Sequence, residues 1–279
     1  MAAANKINLE IFTPALIFSV LASKDFQLAV YADLALAGAI VVLGSGLIAW
    51  PIARLAGWPV RVFVPPMMFT NSGNMGLPLA LLAFGEQALP AAMILFLVEN
   101  TLHFTVGNAM LEGRVHPLVL LRMPMLQATV AGLIVAVFNI TVWPPFGVAL
   151  DLLGQVAIPL RLFALGVRMT NISLKDWHIG LVAAVVCPLS GLVMAVLAGM
   201  LLNLDGLQWH LLLVFGILPP AVLNYLLADR FDADTDVVAS FVLLGNLASI
   251  ITISLVLAFV LYIEAKGPAS ANLNSLTGL

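Results

Sequence analysis

The stretch "TNSGNMGLP", Thr70 to Pro78, lies in one of the most apolar parts of the chain, yet it contains two asparagines, a serine, two glycines and a proline. These residues do not favour an uninterrupted helix, because Gly weakens a helix interior and Pro lacks the backbone N–H. In a bilayer, unwound backbone is tolerated only where protein buries it or where it borders a polar cavity. The stretch therefore predicts a helix break beside a cavity.

The composition is that of an integral membrane protein. Of the 279 residues, 62% are hydrophobic and 9% are charged, whereas soluble domains have about 25% charged residues. We expect an all-α polytopic fold in one transmembrane domain, residues 1–279. The apolar runs predict nine helices, at about 7–22, 27–49, 59–84 (broken), 88–111, 116–138, 146–168, 177–201, 207–229 (broken) and 235–262.

The charged residues indicate the orientation in the membrane. Eight of the eleven Lys and Arg residues fall on one side of the predicted topology, namely Lys6, Arg54, Arg61, Arg114, Arg122, Arg168, Lys175 and Arg230. Cytoplasmic loops are enriched in Lys and Arg, so we place the N-terminus in the cytoplasm and the C-terminus outside, in a cell (inner or plasma) membrane. The net charge of −3 gives no indication of a nucleic-acid partner.

Two pairs of segments predict an inverted repeat. "EIFTPALIF", Glu10 to Phe18, aligns with "QVAIPLRLF", Gln155 to Phe163, and "LFLVENTLHF", Leu95 to Phe104, aligns with "FVLLGNLASI", Phe241 to Ile250. Asn100 then corresponds to Asn246. The paired segments run in opposite directions in the predicted topology, as in many transporters. By the same relation the break at Thr70 to Pro78 corresponds to Pro219 and Pro220.

The two breaks together predict an anion site. A half-helix that begins at mid-membrane directs its N-terminus, with about half a positive charge, towards the site. The prolines are suited to start such half-helices, and the nearby amides and hydroxyl add hydrogen-bonding groups. The alternative is that these residues only satisfy a kink. The substrate-binding candidates are Asn71, Ser72, Asn74, Pro78, Pro219, Pro220 and Asn224.

Ionisable residues within membrane helices are rare and usually functional. Glu99 and His103 are spaced i,i+4 on one helix face, and with Asn100 and Asn246 they form a candidate polar network. The network is either a proton relay or coupling site, or a buried hydrogen-bonded pair that locks the helices. Arg161 is a candidate anion contact, unless its side chain extends towards the cytoplasm.

The segments "NSGNMGLPLALLAFG", "QVAIPLRLFALGV" and "LPPAVLNYLLADRF" resemble, in order and spacing, the signature segments of the auxin efflux carrier family, of the bile acid/sodium symporter superfamily. The similarity covers nearly the whole chain and is strongest from Asn71 to Pro78. It implies ten helices in two inverted repeats whose broken helices cross. It also implies elevator-type movement of a transport domain against a scaffold.

On this resemblance the chain lacks the family's first helix. The scaffold comprises the helices at about 7–22, 116–138 and 146–168, and the transport domain those at about 27–111 and 177–262, with a polar tail at 264–279. A homodimer through the scaffold helices is one arrangement to consider. Thr70 stands where many members have Pro, and Leu223 stands where Asn is common, with Asn224 next to it.

We therefore expect a secondary carrier for a small organic anion, such as a malonate-like or malate-like carboxylate or an auxin-like acid. An intramembrane enzyme or a passive channel that uses Glu99 and His103 is the alternative. No phosphate-binding loop or Ser-His or zinc-protease motif occurs in the sequence, so we expect no catalytic residue, metal or cofactor.

Overall fold

The computed structural model describes residues 6–23, 28–112, 123–160, 163, 167, 176–204 and 206–266. Within these residues the regular structure is helical, and the single β-type pairing is an isolated bridge between Thr70 and Pro220. The helices are α1 Asn8–Leu21, α2 Ala32–Leu55, α3 Val60–Met68, α4 Ser72–Phe84, α5 Glu86–Glu112, α6 Pro124–Val137, α7 Pro144–Gln155, α8 Trp177–Leu201, α9 Gly206–Gly216, α10 Val222–Arg230 and α11 Thr235–Lys266.

The predicted all-α polytopic membrane fold is confirmed. Four helical stretches in the described residues are individually long and apolar enough to cross a membrane: Ala29–Leu55, Glu86–Glu112, Trp177–Leu201 and Thr235–Ile263. Every one of the nine predicted segments contains described helix, and each segment predicted to be broken consists of two helices, α3 with α4 and α9 with α10. Residues 116–122 and most of 161–168 lie outside the described part.

The largest group of helices packs around α8, which contacts α2, α9 and α11. Small residues permit these close approaches, as is common between membrane helices. A Cβ at Gly191 of α8 would overlap the Gly216 carbonyl of α9, and a Cβ at Gly180 would lie 2.9 Å from the Ser240 carbonyl oxygen of α11. The opposite face of α8 exposes leucines and valines such as Leu189, as expected for a surface in contact with lipid.

A second group consists of α1 packed between α6 and α7. Glycines again set the contacts. A Cβ at Gly154 of α7 would lie 2.8 Å from the Leu16 Cα, and a Cβ at Gly132 of α6 would lie 2.9 Å from the Leu21 Cβ. This packing directs the first turn of α1 towards the two helix breaks.

Candidate functional site

The two helix breaks contact each other directly. The Asn71 N–H donates to the Pro219 carbonyl at 2.8 Å, and the Ala221 N–H donates to the Phe69 carbonyl at 3.0 Å. These bonds flank the bridge between Thr70 and Pro220. Each break thereby satisfies backbone groups of the other, which is what unwound backbone requires inside a membrane.

Local sequence explains one break better than the other. The helical backbone conformation is unfavourable for a residue that precedes proline, so Leu218 and Pro219 cannot readily continue α9. The first break, by contrast, has no proline at Phe69, Thr70 or Asn71. Its extended backbone is therefore stabilised mainly by its pairing with the second break.

A pair of asparagines joins the breaks through their side chains. The Asn71 Nδ2 donates to the Asn246 Oδ1 at 3.2 Å. The Asn246 Nδ2 donates to the Pro220 carbonyl at 3.2 Å and to the Val242 carbonyl one turn earlier in α11 at 2.7 Å. Both N–H groups of the Asn246 amide are thus used. This amide connects α11 to both breaks.

Asn224 of α10 also connects the two breaks. Its Nδ2 donates to the Phe69 carbonyl at 2.8 Å and to the Ala221 carbonyl at 3.1 Å. Its Oδ1 is buried and makes no hydrogen bond of standard geometry, while the Asn224 side chain lies within interaction range of the His103 ring. These hydrogen bonds give Asn224 a structural role at the crossing of the breaks, and its role in substrate contact stays a prediction.

Both half-helices direct their N-termini at one cavity. α4 begins at Ser72, where the N–H groups of Met75 and Gly76 bond to the Asn71 carbonyl. The preceding N–H groups, those of Ser72 to Asn74, belong to the first turn and have no intrahelical acceptor. α10 begins at Val222 after the N-cap residue Ala221. Pro78, expected to start a half-helix, lies in the first turn of the regular α-helical part of α4, Leu77–Phe84, which follows the π-helical turn Ser72–Gly76.

The cavity has a volume of about 230 Å³ and lies between the two helix groups. Its walls come from the breaks and α10, from α5, and from the starts of α1 and α6. The lining residues are Asn8, Leu9, Glu10, Thr70, Asn71, Ser72, Gly73, Asn74, Phe96, Glu99, Asn100, His103, Phe104, Met123, Pro124, Met125, Ala221, Leu223 and Leu226. Within the described chain no Lys or Arg lines this cavity, so positive potential there comes from the helix N-termini.

Three π-helical turns border the cavity, at Asn8–Phe12, Ser72–Gly76 and His103–Gly107. A π turn inserts an extra residue into a helix and occurs frequently at functional sites. In each case the turn contributes lining residues to the cavity. The departures from regular helix in α1, α4 and α5 therefore coincide with one location.

Glu99 and His103 are both buried, but they do not form the hydrogen-bonded pair that was one sequence-based alternative. The Thr70 Oγ1 lies 3.2 and 3.1 Å from the two Glu99 carboxylate oxygens. The His103 ring instead stacks on Phe69, with centroids 4.1 Å apart and planes 6° from parallel. Gly107 makes room for this stack, since a Cβ there would lie 2.9 Å from both rings.

The structure brings some predicted site residues to the cavity and not others. Asn71, Ser72, Asn74, Glu99, Asn100 and His103 line it. Pro78, Pro219, Pro220, Asn224 and Asn246 lie behind the lining, in α4, the second break, α10 and α11. Arg161 lies outside the described residues. Among the described His, Cys, Asp and Glu residues no group of three could hold a metal ion.

Sequence reasoning missed three polar lining residues, Thr70, Asn8 and Glu10. The Asn8 Nδ2 donates to the Ala157 carbonyl at 3.2 Å, and its Oδ1 accepts from the Thr13 hydroxyl at 3.2 Å. A polar residue within an apolar run was the available signal for each of the three. Asn8 lies far along the chain from the breaks, however, so its position at the site depends on tertiary packing.

Comparison with known proteins identifies the family. The family model described as "Membrane transport protein" matches residues 112–257, more than half of the chain. The chain belongs to this family, that of the auxin efflux carriers. The match includes the second break but not the first. Family membership identifies the protein as a membrane transporter and not an enzyme.

Two individual relatives align with more of the chain than the family model does. The chain is 28% identical to a putative malonate transporter of Rhizobium meliloti (strain 1021), over 74% of this chain and 67% of the relative. It is also 28% identical to an uncharacterized transporter of Methanothermobacter thermautotrophicus, over 90% of this chain and 86% of the relative.

Proposed function

We propose that this transporter is a secondary carrier for a small organic anion, and that the anion binds in the cavity at the crossing of the two breaks. The observation that carries the proposal is the convergence of two half-helix N-termini, at Ser72 and at Val222, on one cavity. Helix N-termini with free N–H groups bind anions, and transporters use them in this way at the membrane midplane.

The chemistry and size of the cavity support a small carboxylate. First-turn N–H groups at Ser72, Gly73 and Asn74 can donate to carboxylate oxygens, and the Asn74 amide adds neutral hydrogen-bonding capacity. Pockets for drug-sized ligands are about 300–1,000 Å³, so 230 Å³ fits an acid of a few carbons. The relative named as a putative malonate transporter supports the same class.

We propose alternating access by movement of one helix group against the other. The scaffold would be α1, α6 and α7, and the transport domain would be the remaining helices, related internally by the inverted repeat. Asn100 and Asn246 support that repeat, since each donates to the carbonyl four residues earlier, at 2.9 and 2.7 Å. The cavity has walls from both groups, so sliding between them would change its access.

The proposed orientation places the N-terminus in the cytoplasm. It rests on the distribution of Lys and Arg among the connections. In this arrangement the connection between α2 and α3 is cytoplasmic, and the connection between α4 and α5 is outside.

Counterflow in proteoliposomes tests the function. A panel of small carboxylates, beginning with malonate, is compared with the matched uncharged amides, beginning with malonamide. We expect internal unlabelled acid to accelerate uptake of labelled acid, as a carrier requires, and the amides to have no effect. Amides that compete as well as the acids would contradict the anion site. Uptake of acid without trans-stimulation would indicate a channel.

A further inference from the structure

Glu99 is a carboxylate at the centre of a membrane span. It is the middle residue of the candidate span Glu86–Glu112, and only 6% of its surface is exposed. At 1.5 Å per residue, each end of that span is about 20 Å away. An ionised carboxylate in such a position is strongly unfavourable unless a cation or a proton neutralises it.

The nearest polar neighbours of Glu99 are neutral. Thr70 places its hydroxyl against both carboxylate oxygens, and Ser72 lies close to the same group. From α2, α8 and α9, the residues that close the space behind Glu99 include Ser45, Gly191 and Phe215. Hydrogen bonds from hydroxyl groups orient the carboxylate, but they do not cancel its charge.

The titratable groups that face Glu99 do not neutralise it either. His103, one turn later in α5, stacks on Phe69 and makes no ion pair with Glu99 in the described structure. Cys187 of α8 is a buried thiol, a group that cannot carry a positive charge. Glu10 lines the same cavity from α1, is exposed and lies 4.0 Å from Lys6, the one ion pair found among the described residues.

Glu99 also separates two cavities. One is the proposed substrate cavity, and the other, of about 20 Å³, lies between α2, α8 and α9. Thr70 and Glu99 line both. A space of about 10–15 Å³ is enough for a water molecule. The smaller cavity can therefore hold one water molecule beside Thr70 and Glu99, on the side of the carboxylate away from the substrate.

We propose that Glu99 is a proton-binding site coupled to the anion, so that the carrier binds the anion and one proton together. This inference rests on the proposed function. The proton comes from hydronium or a buffer acid in the aqueous phase, whose conjugate base stays in solution, and it forms an O–H bond on a Glu99 carboxylate oxygen without covalent change to the anion. Thr70 is a positioning residue, because its hydroxyl holds the carboxylate at the boundary of both cavities.

The sign of the coupling follows from electrostatics. An anion on the first-turn N–H groups of α4 lies close to Glu99, because Ser72 contacts both. Two unit negative charges about 6–8 Å apart, at an effective dielectric constant of about 20, weaken binding by about 30- to 100-fold. Protonation of Glu99 removes this repulsion. By reciprocity the bound anion favours protonation to the same degree, which makes the coupling that of a symporter.

The test measures proton uptake and affinity in the purified full-length protein, with malonate as the probe. In weakly buffered solution, malonate binding should take up protons, and malonate affinity should rise by at least about tenfold from mildly alkaline to mildly acidic pH. In Glu99→Gln, a neutral and nearly isosteric variant, affinity should be independent of pH and proton uptake should be absent. Counterflow should persist in this variant, but a pH gradient should no longer drive accumulation.

Two variants provide the controls. Glu86→Gln changes an exposed carboxylate at the start of the same helix, α5, outside the cavity, so wild-type pH dependence should remain. Glu99→Asp keeps a titratable group and should retain proton uptake, which separates loss of the proton site from a folding defect. Loss of proton uptake in Glu10→Gln with retention in Glu99→Gln would move the site to α1 and overturn the proposal.

Each remaining outcome is decisive. Malonate binding without proton uptake in the wild type refutes the proton site while leaving the anion carrier intact. Uptake that requires Na⁺ and is insensitive to pH refutes proton coupling. Failure of every acid in the carboxylate panel to bind to the wild type and to Glu99→Gln at any pH contradicts the proposed function itself.

Discussion

Replacement of Asn246 by alanine tests whether the asparagine pair stabilises the crossing of the breaks. The change removes the acceptor of the Asn71 amide and the donor to the Pro220 carbonyl. Asn71 is 2% exposed, and the residues around Pro220 are equally buried, so water cannot readily replace the lost bonds. It also removes the bond to Val242 within α11.

The magnitude follows from the bonds lost. Hydrogen bonds between membrane helices contribute about 0.6 kcal/mol on average and at most about 1.7 kcal/mol. Two such bonds predict that Asn246→Ala destabilises the protein by about 1–3 kcal/mol. Asn100→Ala is the matched control, because the Asn100 Nδ2 makes the same bond to the carbonyl four residues earlier but is not bonded to either break. The control should lose less than about 1 kcal/mol.

Unfolding in mixed detergent micelles, with increasing SDS, measures these free energies. A double-mutant cycle with Asn71→Ala isolates the bond between the two asparagines, for which we expect a coupling energy of about 0.6–1.7 kcal/mol. Equal losses in Asn246→Ala and Asn100→Ala, together with a coupling energy near zero, would refute the reasoning. Binding of the anion should also weaken in Asn246→Ala, since the half-helix N-termini would no longer be held together.

Two further predictions concern packing and orientation. Gly191→Ala should destabilise the protein by about 1–3 kcal/mol or more, because the new methyl group overlaps the Gly216 carbonyl. Gly147→Ala is the control: the nearest atom to its new methyl group is 3.8 Å away, so the change should be neutral or slightly stabilising in the same unfolding assay. A cysteine introduced at exposed Gln87 should react with an impermeant thiol reagent added outside cells, and one introduced at exposed Ala56 should not. The native Cys187 is buried, so it should not react with the reagent. The reverse labelling pattern would invert the topology.

The sequence by itself determined the class of fold and the location of both breaks. Long apolar runs with few charges can satisfy their backbone in a membrane only as helices, and this property is local. Pro219 and Pro220 exclude a continuous helix through steric effects on their immediate neighbours. The polar residues from Thr70 to Asn74 indicated the first break because such residues are unfavourable against lipid.

The tertiary structure decided how the polar groups are paired. The i,i+4 spacing of Glu99 and His103 placed them on one helix face, yet Glu99 pairs with Thr70 and His103 stacks on Phe69. A π-helical turn, Ser72–Gly76, precedes the regular α-helix in which Pro78 occupies the first turn, and the crossing of the breaks fixes where this π turn starts. Asn71 meets Asn246 from a distant part of the chain. Helical spacing fixes which residues share a face, but the partner of each side chain depends on which other helix packs there, and no local pattern contains that information.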